Sequence, residues 1–114
     1  MYRFDESRRL RSKKDYGSVF KHANKTSTAE LIILHQRTTL KTARLGLAIS
    51  KKAIPKANQR NRIKRLLRES FRRQTLPPVD VVVLAKPGIA AKGNKVIFEK
   101  LSILWNKLAV IYEK

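Results

Sequence analysis

The sequence predicts a single α+β domain, and three observations support this prediction. Apolar residues recur with helical spacing over residues 57–74 and 94–112, and a run of β-branched residues occupies 79–85. Gly and Pro separate these segments. The 114 residues, 42% of them hydrophobic, suit one core, because typical domains have about 100–150 residues. We therefore expect residues 1–114 to form one domain.

A short helix is the first predicted element. Asp15 to about His22 allows two turns and places Tyr16, Val19 and Phe20 on one side by their i, i+3 and i+4 spacing. It follows a basic arm that contains Arg8, Arg9, Arg11, Lys13 and Lys14.

Two strands are predicted next, after a polar loop over residues 24–28. The first covers 31–34 and the second 44–50, and the second alternates regularly. One of its sides carries almost no side-chain bulk, which suits either close approach by a flat ligand or packing against a helix. The bulky side consists of Leu45, Leu47 and Ile49, and the other of Arg44, Gly46, Ala48 and Ser50.

The clearest predicted helix runs from Ala57 to Gln74 and ends before Pro77 and Pro78. At about 100° per residue, its residues separate into an apolar stripe and an adjoining basic face. The stripe consists of Ile63, Leu66, Leu67, Ser70 and Phe71, and the basic face of Asn61, Lys64, Arg65, Arg68 and Arg72.

A strand over 79–85 and a last helix complete the predicted order α, β, β, α, β, α, and a further strand near the hairpin is left open. The strand is apolar at every position except Asp80, as expected for burial on both faces. Asn94 is a candidate cap for the helix, whose thinly spread lysines Lys95, Lys100 and Lys107 predict solvated surface without a site. Its predicted core face consists of Ile97, Leu101, Leu104, Trp105, Leu108, Ile111 and Tyr112.

The charge predicts a polyanionic partner. With 27 Lys and Arg against 8 Asp and Glu, the net charge is +19, and phosphates would relieve the resulting repulsion. Nucleic acid is favoured over a membrane surface or an acidic protein. No apolar run approaches the length of a membrane span, the start lacks the apolar stretch of a secretory signal, and there is no cysteine. We therefore expect a cytoplasmic protein.

No catalytic or metal site is evident in the sequence. His22 and His35 lie 13 residues apart, outside metal-ligand spacing, and the carboxylates are scattered. Neither a Gly-rich phosphate loop nor a Ser or Cys nucleophile in a recognisable setting is present. The sequence predicts no catalytic residue, no metal and no tightly bound cofactor.

The most informative stretch runs from Lys51 to Arg73 and holds 10 of the 27 basic residues. Glu69 is its one acid, so like charges repel along the helix unless phosphates lie over it. Arginine predominates, and its planar fork grips two phosphate oxygens at once. A merely solubilising basic face is the competing interpretation.

These residues resemble the protein subunit of bacterial ribonuclease P. The resemblance rests on Gly46 to Lys52, ending in Ser-Lys-Lys, followed by Ala57 and the run Arg60 to Arg68, which opens with Arg-Asn-Arg. It extends over nearly the whole chain and includes the Asp-aromatic-x3-Phe pattern at Asp15, Tyr16 and Phe20. The chain departs from the family at Asn58, usually apolar, and at Tyr16, often Phe.

The resemblance implies a fold and a division of labour. The fold is an α-β-β-β-α-β-α domain with a mixed four-stranded sheet and a left-handed βαβ crossover, like the second domain of one small-subunit ribosomal protein. The catalyst is an RNA that needs Mg²⁺ and removes the 5′ leader of precursor tRNA by endonucleolytic hydrolysis. The protein's partners are then ribonuclease P RNA and precursor tRNA, with no membrane and no obligate protein partner. It is expected to broaden substrate use and to lower the magnesium requirement.

Two sets of site residues follow from the resemblance and from the residue chemistry. Aromatic stacking with a basic track suits a single-stranded leader of variable sequence. The competing interpretation makes Tyr16 and Phe20 core residues, as the spacing indicates for Trp105 and Tyr112. The predicted leader-binding residues are Tyr16, Phe20, Arg44, Ser50, Lys51 and Lys52. The predicted contacts with the catalytic RNA are Lys56, Arg60, Asn61, Arg62, Lys64, Arg65, Arg68 and Arg72.

Two other functions stay open on composition alone. A ribosomal protein or RNA chaperone would carry the same charge, and only the Ser-Lys-Lys and Arg-Asn-Arg signature argues against it. A DNA-binding regulator would place the basic helix in a major groove, but the preceding segment is strand-like and a helix-turn-helix needs a helix there.

Overall fold

The structure is a computed structural model that describes residues 24–38 and 41–112. The basic arm and the predicted helix at 15–22, with Tyr16 and Phe20, lie outside the described residues. The strands are β1 (Asn24–Ser27), β2 (Leu31–Arg37), β3 (Arg44–Ala48) and β4 (Val79–Ala85). The helices are the basic helix (Ala57–Arg72), a 3-10 turn (Ile89–Ala91) and the final helix (Asn94–Tyr112).

The four strands form one mixed sheet in the order β1-β2-β4-β3. β2 pairs antiparallel with both β1 and β4, whereas β3 runs parallel to β4. Parallel neighbours need a crossover connection, and the basic helix forms it between β3 and β4. The predicted α+β class with a mixed four-stranded sheet is confirmed, and the left hand of the crossover stays a prediction.

The prediction of a polar loop over residues 24–28 was wrong, because Asn24–Ser27 is strand β1. It pairs with β2 from Asn24 opposite His35 to Ser27 opposite Ile32. Three of its four side chains are exposed at the sheet edge, so the segment needs no apolar alternation. Its conformation is set by pairing with β2, which a local pattern does not reveal.

Several element ends differ from the predicted ones. β2 continues past the predicted 31–34 to Arg37. β3 ends at Ala48 rather than Ser50 because Ser50 begins a turn, in which its Oγ accepts from the Ala53 N–H at 3.1 Å and its carbonyl from the Ile54 N–H at 3.0 Å. The basic helix ends at Arg72, two residues before the predicted end.

Both long helices contribute to a hydrophobic core with one face of the sheet. β2 contributes Leu31 and Ile33 to it, and β4 contributes Val81 and Val83. Trp105 is fully buried, its Nε1–H donates to Ser70 Oγ at 2.7 Å, and its ring meets that of Phe71 edge-on at 5.5 Å. The predicted core roles of Trp105 and Tyr112 are confirmed.

Two predictions for the final helix need correction. Ile111 was placed on the core face but is 51% exposed, because it lies at the margin of the buried stripe near the helix end. Asn94 was expected to cap the helix but is its first residue, and its Oδ1 accepts a hydrogen bond from Arg62 Nε at 2.9 Å. None of the described helices is long and apolar enough to cross a membrane.

A small cluster occupies the other face of the sheet. Val82 is fully buried there, with Leu34, Ala48 and Leu84 partly buried against it. In the parallel register Gly46 lies opposite Val82 and Ala48 opposite Leu84. The side of β3 with little side-chain bulk therefore belongs to this face, opposite the basic helix and the final helix.

Candidate nucleic-acid interface

The basic helix turns its apolar stripe to the core and its cationic residues to solvent. Its buried residues are the predicted ones, namely Ile63, Leu66, Leu67, Ser70 and Phe71. On the outer face Asn61, Arg65 and Arg68 are exposed, and Lys64 and Arg72 are partly exposed. One helix thus serves both core and solvent, as expected for an amphipathic helix.

The first turn of the basic helix strengthens its positive potential. Lys56 is the N-cap and its side chain makes no capping bond, Asn58 Oδ1 accepts from the Gln59 N–H at 2.9 Å, and the turn contains no acidic residue. Unpaired N–H groups at a helix start carry partial positive charge that attracts anions. Helix dipole and side-chain cations therefore act in the same direction at this end.

The other end of the basic helix is partly neutralised by Glu69. Its carboxylate forms an ion pair of 2.8 Å with Arg72 and a looser one of 3.7 Å with Arg73. The hydrogen bond from Arg72 lowers the pKa of Glu69, so the acid stays ionised at neutral pH. Arg72 is therefore less available to phosphate than Arg65 and Arg68, which are exposed.

Arg60 holds the segment that precedes the helix. Its Nη1 donates to the carbonyl oxygens of Ile54 at 2.9 Å and Pro55 at 2.8 Å. That segment begins with the turn at Ser50 and exposes Lys51 and Lys52. Arg60 thus docks two candidate phosphate ligands against the helix start.

Arg62 holds the segment that precedes the final helix. Its Nη2 donates to the Lys92 carbonyl at 2.6 Å, and its Nε to Asn94 Oδ1 at 2.9 Å. Its Nη1 donates to the Ala90 carbonyl at 3.1 Å and to Gln59 Oε1 at 3.4 Å. The sequence did not indicate the partners in the 90–94 segment, because the two carbonyls have no side-chain signature and Asn94 lies 32 residues from Arg62 in the chain.

Arg44, a predicted leader-binding residue, forms a two-bond ion pair with Asp80 on β4. Nε and Nη2 donate to the two carboxylate oxygens at 2.9 and 2.8 Å, and the two side chains are only 16% and 6% exposed. The parallel register that places Arg44 opposite Asp80 joins residues 36 apart in sequence. This geometry gives Arg44 a structural role, and its contact with phosphate stays a prediction.

The described residues therefore present two surfaces of different character. One is cationic and lies along the outer side of the basic helix and the two segments docked on it. The other is the small-residue side of β3, on which Gly46 is buried and Ala48 is partly exposed, and which Lys51 and Lys52 border beyond the strand end. Within residues 24–38 and 41–112, no three His, Cys, Asp or Glu side chains come together to hold a metal ion.

The chain is similar to known proteins both in sequence and in fold. Residues 4–109 match the family described as Ribonuclease P. The chain is 52% identical over 114 residues to the ribonuclease P protein component of Legionella pneumophila (strain Corby), covering 100% of both chains. It is 41% identical to that of Pseudoalteromonas atlantica, covering 97% of this chain and 94% of the relative. The solved RNase P protein from Thermotoga maritima superposes with a TM-score of 0.78 at 27% identity, covering 87% of this chain and 96% of that one.

Proposed function

Because this chain belongs to the ribonuclease P protein family, and so is a protein component of a tRNA-processing ribonuclease, we propose how it divides its RNA contacts. The outer side of the basic helix binds the catalytic RNA, and the small-residue side of β3 with its flanking lysines binds the 5′ leader of precursor tRNA. The observation that carries this proposal is the exposed cationic face of a helix whose one acid, Glu69, is already paired.

The contacts with the catalytic RNA are proposed on exposure and charge. When cations of this +19 protein neutralise RNA phosphates, the counterions condensed on the RNA are released, and this release favours binding at low salt. Arg60, Arg62 and Arg72 belong to the same surface, but each already donates within the protein, Arg62 with four hydrogen bonds and the other two with at least two each. Direct phosphate contacts are assigned to Lys56, Asn61, Lys64, Arg65 and Arg68.

The leader contacts are proposed on shape and residue chemistry. Ala48 is small and partly exposed, which lets a base approach the end of the strand closely, and the exposed Ser50, Lys51 and Lys52 follow directly. Tyr16 and Phe20 are proposed as the aromatic partners, since base stacking on an aromatic ring contributes about 1–3 kcal/mol per base. Arg44 borders this surface through its pair with Asp80.

Hydrolysis is assigned to the RNA and its bound Mg²⁺, with no catalytic residue and no tightly bound cofactor on the protein. The protein's cations would substitute for part of the ion atmosphere that holds the RNAs together. The magnesium requirement of cleavage is then lower with the protein than without it.

The test is cleavage of precursor tRNA by the cognate ribonuclease P RNA, with and without this protein, at low and at high Mg²⁺. We expect stimulation that is large at low Mg²⁺ and that grows when the substrate carries a leader. Equal cleavage with and without protein at every Mg²⁺ concentration would remove the proposal and favour a general RNA-binding role.

Leader binding has its own test at Phe20. Phe20→Leu keeps an apolar side chain and removes the ring, whereas Phe20→Tyr keeps the ring. We expect Phe20→Leu to weaken holoenzyme binding of leader-bearing tRNA more than binding of mature tRNA, and Phe20→Tyr to restore the difference. Equal losses for both RNAs would instead indicate a core role for Phe20.

A further inference from the structure

The two arginines beside Asn61 point to opposite flanks of the basic helix. At about 100° per residue, Arg60 and Arg62 lie about 100° to either side of Asn61. Asn61 is exposed, whereas both arginines donate to backbone carbonyls of neighbouring segments. The Arg-Asn-Arg sequence therefore joins three pieces of chain at one place.

Arg62 is the more fully engaged of the two. A guanidinium has five N–H donors, and Arg62 makes four hydrogen bonds within the protein. Three of these reach the 90–94 segment, at the Ala90 carbonyl, the Lys92 carbonyl and Asn94 Oδ1. Little donor capacity is left for a phosphate, so a direct two-oxygen grip by Arg62 would have to break internal bonds.

The segment that Arg62 holds is itself cationic and exposed. From residue 86 to 95 it carries Lys86, Lys92 and Lys95 and no acid, and Lys92 and Lys95 are exposed. The segment includes Gly88 at φ +100°, the left-handed conformation that glycine adopts readily, followed by the 3-10 turn. Because the turn is fastened at its end by Arg62, its lysines are held beside the helix before any ligand binds.

We propose that Arg62 is a positioning residue, and that Lys92 and Lys95, which it holds beside the basic helix, bind RNA phosphates as part of the same interface. The catalytic RNA then contacts a surface made of the helix and this docked segment. This inference rests on the proposed function, since it assumes that the outer side of the basic helix faces the catalytic RNA.

The test is a mutant cycle on binding to ribonuclease P RNA over a range of salt concentrations. The variants are Arg62→Ala, the pair Lys92→Ala and Lys95→Ala, and the combination of all three. Removing each lysine that neutralises a phosphate should lower the slope of log affinity against log salt by about 1, so the pair lowers it by about 2. If Arg62 acts through these lysines, the triple variant is no weaker than the pair.

Two further variants separate positioning from direct contact. Arg62→Lys keeps the charge but lacks the planar fork, so we expect it to lose affinity as Arg62→Ala does. Arg65→Ala is the matched control on the exposed face, and its loss should add to that of the lysine pair. Thermal unfolding of each variant identifies any that fails to fold. If Arg62→Ala fails to fold, Asn94→Ala takes its place, because it removes only one acceptor of Arg62.

The outcomes separate this inference from the proposed function. If wild type binds the RNA and the lysine pair leaves affinity and salt slope unchanged, the inference is overturned and the proposed function stands. Losses from Arg62→Ala that add to those of the lysine pair, with rescue by Arg62→Lys, would make Arg62 a direct phosphate contact and also overturn it. If wild-type protein does not bind ribonuclease P RNA, both the inference and the proposed function are wrong.

Discussion

The basic helix and the final helix pack side by side against one face of the sheet but present different surfaces to solvent. Each helix contributes a continuous apolar stripe to the same core. The two stripes meet where Phe71 of the basic helix contacts Trp105 of the final helix. Outside, the basic helix exposes Arg65 and Arg68. The final helix instead exposes large apolar residues, with Val96 40%, Ile103 55%, Val110 65% and Ile111 51% accessible.

This difference shows that the residues of the core and the charge of the surface vary independently in this fold. Burial of an apolar stripe requires the same periodicity in both helices, and it leaves their outer residues unconstrained. The outer side of the basic helix carries several cations and a single acid, Glu69. Beyond Lys95 in its first turn, the final helix has a mixed outer side, with the acid Glu99 among its exposed residues, and it presents fewer cations than the basic helix.

The largest expected effect comes from a substitution in the hydrophobic core that the two helices share. Trp105→Ala deletes a fully buried ring that touches Phe71 and leaves Ser70 Oγ without its indole donor. Loss of a large buried aromatic costs about 3–5 kcal/mol of unfolding free energy. Urea denaturation measures this, and a loss below about 1 kcal/mol would show that the two helices do not depend on a common core.

The second prediction sharpens the contrast between the outer faces. Arg65→Ala combined with Arg68→Ala should weaken binding to the catalytic RNA and lower its salt slope by about 0.9 for each phosphate that is no longer neutralised. Lys107→Ala on the final helix is the control, and we expect it to leave both quantities nearly unchanged. Filter binding at several salt concentrations checks this, and an equal effect at Lys107 would mean that net charge alone matters.

The third prediction concerns pH and the end of the final helix. His35 is buried between Tyr112, whose hydroxyl lies 2.8 Å from Nδ1, and Thr26, whose Oγ1 lies 2.9 Å from Nε2. Burial lowers the pKa of His35 below its ordinary value of 6.5. Below pH 6.5 the His35 side chain takes up a proton more readily in the unfolded chain than in the folded one. The contribution of His35 to the free energy of unfolding is therefore fully present above pH 6.5 and is lost as the pH falls below it.

The urea midpoint measured between about pH 7.5 and 5.5, on either side of the ordinary histidine pKa, checks this sign. His35→Gln keeps polar atoms at the site but does not titrate, and its midpoint should fall less steeply with acid. The comparison isolates His35, because His22 is common to both proteins. A midpoint in wild type that rises on acidification would contradict the prediction.

The smallest effect is expected on the outer side of the final helix. Ile103→Ser replaces a side chain that is 55% exposed, and such surface substitutions usually change the unfolding free energy by no more than about 0.5 kcal/mol. RNA affinity should be unchanged as well. A larger loss in either measurement would mean that this apolar face has a partner.

Most of the regular structure and part of the candidate site could be predicted from local patterns. The apolar stripe of the basic helix and the bounds of β4 agree with the prediction, since periodicity depends on neighbours within a few residues. The cationic outer face was also predictable from residue spacing, and the Ser-Lys-Lys and Arg-Asn-Arg runs indicated the family. The Ile111 prediction failed because the buried stripe is narrower than the predicted one, so that Leu108 and Tyr112 are buried while Ile111 lies at its margin.

The sequence by itself determined the class of the fold, the sign of the net charge and which helix has the cationic outer face. Only the tertiary structure decided that a polar segment is strand β1, that Arg44 pairs with Asp80, and that Arg60 and Arg62 hold neighbouring loops. These contacts join a strand to its sheet neighbour, or a guanidinium to carbonyls that every residue possesses. Their partners lie far apart in sequence or have no distinctive side chain, and they become visible only when the chain has folded.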